Sequence, residues 1–201
     1  MLTVITPANT HDLTTIETVR AELGITDRAE DENLARWITQ ASRVIGEYCN
    51  RVFAKETVAE TFRLPAFTKD DLVLSRYPIK EIVSVTENDT ALIECADFEV
   101  GLDAGFLTRL RDDTPTSWSP GKITVVYTAG YALLQDLPYS IERACVALIN
   151  QYRYSAERDP QLRSETTDGV GSSSYFDGME AGGLSPEVRG LLDQYRIPIV
   201  V

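Results

Sequence analysis

The sequence predicts an α+β fold, and three observations predict it. Two stretches, residues 31–51 and 141–152, carry apolar residues at helical spacing over several turns. Between them runs a series of short β-branched segments separated by turn residues. The two textures meet at Tyr127–Tyr154. There a strand ends, the chain turns at Ala129-Gly130, a connector closes at Pro138 and a helix begins. This joint sets a sheet on one side and a helical layer on the other. The length of 201 residues suits one domain, with room for an inserted subdomain or an extended tail.

The first helix is read over Leu13–Ile25. Thr14 followed by Glu17 fits a capping box, in which the hydroxyl accepts from an early amide and the glutamate reaches back. Ile16, Val19, Ala21 and Leu23 give it apolar contacts, and Gly24 fits a left-handed stop. His11, the one histidine, precedes it in a polar stretch with no cysteine nearby, which makes it an exposed loop residue. The second helix spans Asp31–Arg51. Leu34, Trp37, Ile38, Ala41, Val44, Ile45, Tyr48, Cys49 and Val52 form its stripe. Asp27, Glu30, Asp31 and Glu32 complement the dipole at its start. Arg36, Arg43 and Arg51 lie off the stripe, as a solvated face.

Beyond Phe53 the period changes. Val58, Glu60, Phe62 and Leu64 alternate with polar neighbours. Leu72–Leu74, Ile79–Glu87, Ala91–Ile93, Phe98–Val100, Phe106–Leu110 and Ile123–Thr128 follow, with Asn88-Asp89 as a turn. Short strands at this spacing predict an antiparallel meander or a small barrel-like sheet. Trp118, bracketed by Pro115 and Pro120-Gly121, reads as a loop anchor packed on the sheet. The third helix presents Ile141, Ala144, Cys145, Leu148, Ile149 and Tyr152 on one face.

Residues 155–183 lose periodicity and read as a flexible surface loop. Gly169-Val170-Gly171-Ser172 lacks the GK[ST] ending and follows no strong strand, so it is no phosphate loop. Ser185 caps a short helix with Pro186 at its first position. The chain then ends in the apolar segment Gln194–Val201, where Pro198 favours an extended arm. Such an end either docks on its own core or waits for a partner, and pattern leaves both open.

Composition excludes several function classes. With 19 basic against 31 acidic residues, a net charge of −12 and no basic cluster, the chain is not built to grip nucleic acid. No apolar run spans a bilayer, and the first residues lack the pattern of a signal peptide, so no membrane partner and a cytoplasmic origin are expected. Cys49, Cys95 and Cys145 follow no CxxC spacing and are expected as buried thiols in a reducing compartment. HExxH, Walker and calcium-loop motifs are missing, a hydrolase triad has no base, and the acidic residues are expected to face solvent. No catalytic, cofactor-binding or metal residue is therefore assigned, and the chain is expected not to be an enzyme.

Several segments together carry a resemblance: LTTIETVRAELGI, IGEYCNRVFA, LSRYPIKEIVSVTEN, DFEVGLDAGFLTRL, the W-x-P-G-K-ITVVYTAGY run, DLPYSIERACVALINQYRY and the closing LSPEVRGLLDQYRIP. In their order the chain resembles, over almost its full length, the head–tail connector proteins (adaptor or head completion proteins) of long-tailed bacteriophages and gene transfer agents. The resemblance implies a mostly helical bundle scaffold with an inserted antiparallel β-rich region and an extended C-terminal arm. The corresponding divisions are a helical part at 1–56, a β-rich insertion at 57–130, a helical part at 131–193 containing the 155–183 loop, and the arm at 194–201.

It also implies a structural virion protein, assembled in the host bacterial cytoplasm, that forms a ring of twelve copies. The ring would sit at the capsid vertex between the portal protein and a stopper or tail-terminator protein and extend the DNA channel. Leu191, Tyr195, Ile197, Ile199 and Val201 would contact the portal, and no cofactor is implied. An acidic ring fits DNA that passes without specific binding. Ring closure requires two different matching faces, for which the arginine side of the second helix and the acidic strand edges are candidates. A cellular α+β protein-binding module without catalytic activity is the competing class, and a carboxylate-dependent enzyme a weaker third.

Overall fold

The computed structural model of the chain describes residues 1–65, 71–157, 164–167, 171–174 and 184–197. Two compact units divide it. One contains Met1–Thr10 and Val52–Ala132, the other His11–Arg51 and Leu133–Val201.

The first unit is all β. Its strands are β1 (Leu2–Thr6), β2 (Glu56–Leu64), β3 (Asp71–Val73), β4 (Ile79–Glu87), β5 (Thr90–Leu92), β6 (Phe98–Gly101), β7 (Phe106–Arg111), β8 (Thr114–Thr116) and β9 (Gly121–Ala129). Five form an antiparallel sheet in the order β1-β2-β9-β4-β5. The other four form a second sheet, β3-β7-β6, with β8 also on β7. The expected meander is corrected here. β9 comes last in the sequence and lies at the centre of its sheet, because its alternating Ile123, Val125 and Tyr127 are all fully buried and need a strand on either side.

Alternation sets the register. Val58 faces Tyr127, Glu60 faces Val125 and Phe62 faces Ile123. Leu72, Leu74, Phe98, Leu107 and Trp118 join these residues in one apolar cluster. Trp118 is buried as expected, and its Nε1 donates to the Leu107 carbonyl at 3.2 Å. The Asn88-Asp89 turn has φ of 47° and 65°, and the β7–β8 turn at Asp112-Asp113 has 51° and 61°. Two successive positive φ angles match the right-handed strand twist in a two-residue hairpin, and Asn and Asp tolerate them.

Glu56, Glu60 and Glu87 are buried, against the expectation that acidic residues face solvent. Each takes an inward position of a strand and is held by donors. Glu60 Oε2 accepts from Tyr127 Oη at 2.8 Å and from Ser75 N at 2.9 Å, while Ser75 Oγ donates to Oε1. Tyr127 Oη in turn accepts from Arg76 N at 3.2 Å. Glu87 accepts from Ser119 N at 2.8 Å and from Arg109 at 3.2 Å. These carboxylates tie the β3–β4 and β8–β9 connections onto the sheets. Tyr127→Phe removes one donor from Glu60 and the acceptor of Arg76 N. A loss of about 1–3 kcal/mol is expected in denaturant melts.

The second unit contains α1 (Ile16–Leu23), α2 (Asp31–Cys49), α3 (Tyr139–Glu157) and α4 (Pro186–Leu192), with a 3₁₀ turn at Asp193–Tyr195. The cap of α1 is Thr15, one residue beyond the expected Thr14, and its Oγ1 accepts from Thr18 N at 3.1 Å. Thr14 Oγ1 instead donates to Glu142 of α3 at 3.1 Å. Gly24 ends α1 in the left-handed region, as expected. Leu34, Ile38, Ala41, Ile45 and Cys49 of α2 are buried, as are Ile141, Ala144, Cys145, Leu148 and Ile149 of α3. Trp37, Val44, Tyr48 and Tyr152 are less completely covered.

The segment expected as a loop at 155–183 contains the end of α3 and a paired hairpin, β10 (Ser164–Thr167) and β11 (Gly171–Ser174). The rest of it lies outside the described residues.

The expectation of a mostly helical bundle is overturned. Nine strands in two antiparallel sheets make up a whole unit, and among the described residues strand outnumbers α-helix once the β10–β11 hairpin is included. Long helices dominate a periodicity reading because 19 residues in one stripe are conspicuous, as in α2 and α3. Three-residue strands such as β3, β5 and β8 leave almost no pattern. The extended arm expected from Gln194 also begins within the 3₁₀ turn. Among the described residues no helix is long and apolar enough to cross a membrane.

Candidate functional site: the carboxy-terminal segment and its seat

The C-terminal segment is built from α4 outward. Ser185 Oγ accepts from Val188 N at 3.3 Å, and Pro186 occupies the first turn, where its missing amide costs nothing. Leu184, Val188 and Leu192 are buried. The chain then crosses the last turn of α2. Tyr48 Oη donates to Asp193 at 2.6 Å, and the Arg196 guanidinium lies over the Tyr48 ring at 5.2 Å. Ile197 N donates to the Cys49 carbonyl at 2.9 Å. At the start of α3, Ser140 Oγ and Tyr195 Oη share a hydrogen bond of 2.7 Å.

This geometry answers part of what the sequence leaves open. Leu191, Tyr195 and Ile197 lie together in one segment, half-buried against their own unit. Ile199 and Val201 lie outside the described residues. The seat itself, made by Tyr48, Cys49 and Ser140, does not emerge from the sequence. Tyr48 sits on the apolar stripe of α2 and reads there as packing. Only its phenol, at the C-terminal end of that helix, hints at a polar partner. Its pKa is raised, first by the bond to Asp193 and then by burial.

The thiols do not all share one environment. Burial pushes Cys49 up to about 11 and Cys145 up to about 12, so both stay protonated at neutral pH. Cys95 is exposed, at a left-handed φ of 65°, contrary to the expectation that all three are buried. A disulfide reagent should therefore label one thiol rapidly in the native protein and three after denaturation. Both buried thiols have folded pKa values above the ordinary 9.0. Their contribution to stability is complete below pH 9 and is lost as pH rises through about 11 to 12. A melting temperature that falls across that range checks the sign.

The buried glutamates resemble poised acids by position alone. Both oxygens of Glu60 and of Glu87 already accept from structural donors, so they fix loops. The Tyr127 phenol is pushed up by burial and then by the adjacent Glu60. Among the described residues no three His, Cys, Asp or Glu side chains cluster as metal ligands.

Comparison with known proteins gives a consistent direction. The family model described as "Head completion protein" matches residues 12–198. A chain from the virion of a native gene transfer agent particle has a TM-score of 0.62 at 18% identity, covering 100% of this chain and 97% of that one. A chain from the neck of an empty gene transfer agent particle, computed with C6 symmetry, gives 0.61 at 16% identity with the same coverage. One from the neck of the native particle, computed with C12 symmetry, gives 0.58 at 17%. Identities this low establish likeness of fold. No curated protein matches the sequence.

Proposed function

The chain belongs to the head completion protein family, and from that membership we propose that it is a structural virion component, one subunit of an adaptor ring between the portal and the stopper or tail terminator. The observation that carries this reading is the family match over residues 12–198, nearly the whole chain. The fold it shares with chains of gene transfer agent necks, solved with sixfold and twelvefold symmetry, supports a ring of twelve copies. The ring extends the DNA channel and takes part in no reaction. A net charge of −12 suits that task, since a channel wall that attracted phosphates would hold the DNA it must pass.

Portal contact is assigned to the C-terminal segment, through Leu191, Tyr195, Ile197, Ile199 and Val201. The bonds from Tyr195 to Ser140 and from Ile197 to Cys49 support this assignment. They fix the point from which residues 198–201 depart, so the arm starts from a defined place on each subunit. Deleting residues 198–201 spares both bonds. Portal attachment should be lost, as read by co-sedimentation and negative-stain images, while the thermal melt stays unchanged. Undiminished attachment would reject the assignment of the arm. Failure of the full-length protein to form a ring on portal would reject the ring.

A further inference from the structure

We infer that the exposed Val73–Phe106 pair of one copy docks in the Trp37 groove of the next copy, so that these two faces close the ring. The inference rests on the ring reading above and names its subunit contact. Val73 and Phe106 are opposite each other across β3 and β7, and each is about half exposed, at 55% and 45%. On the other side of Phe106 the cross-strand partner is Gly101, which has no side chain to cover the ring. Two apolar side chains paired in the open offer a centre around which a contact could form. The rim around them is acidic. Glu99 and Asp71 both face Thr108, the next outward residue of β7, and Asp103 follows in the β6–β7 turn.

The receiving face is on the helical unit. A groove of about 470 Å³ runs beside α2 and α3, lined by Trp37, Gln40, Arg36 and Arg153 among others. Its volume accommodates a phenyl ring with a valine beside it. Arg153 is paired to Glu30 at 3.1 Å, which holds one wall in place. Arg36 is hydrogen-bonded to the neutral Asn33, which leaves its charge available to a carboxylate.

Charge decides the partner. Copies of a chain at −12 repel one another over most of their surface. With Arg153 offset by Glu30, Arg36 is the charge in the groove wall that an acidic rim can meet beside the apolar Trp37. The knob and the groove are different surfaces, so each copy offers one and receives the other. Such a heterologous contact repeats from copy to copy, which is what a ring requires.

The test uses the full-length protein, alone and with its portal, with assembly read by light scattering and negative-stain images. Phe106→Asp alters a side chain that is about half exposed, so a cooperative melt should survive with only a small drop while rings disappear. Arg36→Glu and Glu99→Arg should each raise the concentration needed for assembly at least tenfold. The double variant Arg36→Glu/Glu99→Arg should return to within about threefold of wild type. If Phe106→Asp forms rings like wild type, the contact is wrong and the ring reading stands. If it forms rings but no longer binds the next neck component, the patch belongs to that component and the contact is again wrong. If no protein, wild type included, forms rings alone or on portal, the ring reading falls and this contact with it.

Discussion

Leu148→Asp is expected to leave no folded helical unit. Leu148 is fully buried on the inner face of α3, beside Ala144, Cys145 and Ile149. An aspartate there brings a carboxylate into an apolar layer with no donor provided for it. The cost is on the order of 5 kcal/mol, comparable to the whole stability of a domain. Soluble expression should fall sharply and the cooperative melt should vanish. Leu148→Ala, which removes packing without adding charge, should cost about 2–5 kcal/mol and still give a melt at lower temperature. If the aspartate variant melts like wild type and is defective only in assembly, the packing described for α3 is wrong.

Gly130→Ala should be nearly as damaging to the β unit, by a different route. Gly130 has φ of +99°, and a Cβ there would stand 2.4 Å from the Ala54 carbonyl oxygen and 2.9 Å from that of Phe53. Both obstacles are backbone, so no rotamer relieves them. Three hydrogen bonds converge at this point: Gly130 N to Pro78 O, Tyr131 N to Phe53 O and Lys55 N to Tyr131 O, all between 2.7 and 2.9 Å. A displaced strand end loses them together. A loss of about 3–5 kcal/mol is expected, read as a drop in the melting temperature and in denaturant midpoint. Gly190 gives the contrast. It lies in α4 with no positive φ, and nothing comes within 4 Å of the place a methyl group would take. Alanine there should be neutral or stabilising by up to about 1 kcal/mol.

Much of the local structure is readable in the residues. The stripes of α2 and α3, the stop at Gly24, the Asn88-Asp89 turn and the buried Trp118 all follow from spacing and turn chemistry. The relation between strands is not readable. Alternation in β2 and β9 says which side chains share a face, but says nothing about β9 pairing between β2 and β4. Glu60 shows the limit most clearly. It falls on the same inward face as Val58, yet its charge argues for solvent until Tyr127 and Ser75 are seen to hold it. The seat of the C-terminal segment is hidden for a similar reason. Tyr48 and Ser140 meet Asp193 and Tyr195 across long sequence separations, and no periodicity links them. Helical weight is overestimated because a long amphipathic stripe is legible and a three-residue strand is not.

The central position of β9 has a consequence for synthesis. Its partner β2 begins at Glu56, while β9 ends at Ala129, so the five-stranded sheet cannot close until more than half the chain has been made. The helical unit waits longer, since α2 must be joined by α3 and α4 from the last third. Contacts this distant in sequence form slowly, because the intervening chain must be ordered before they are gained. A chain terminated before Ala129 therefore carries an unfinished sheet, and one terminated before α4 an incomplete helical layer. Products cut short at those points are expected to fail at folding, before a partner could test them.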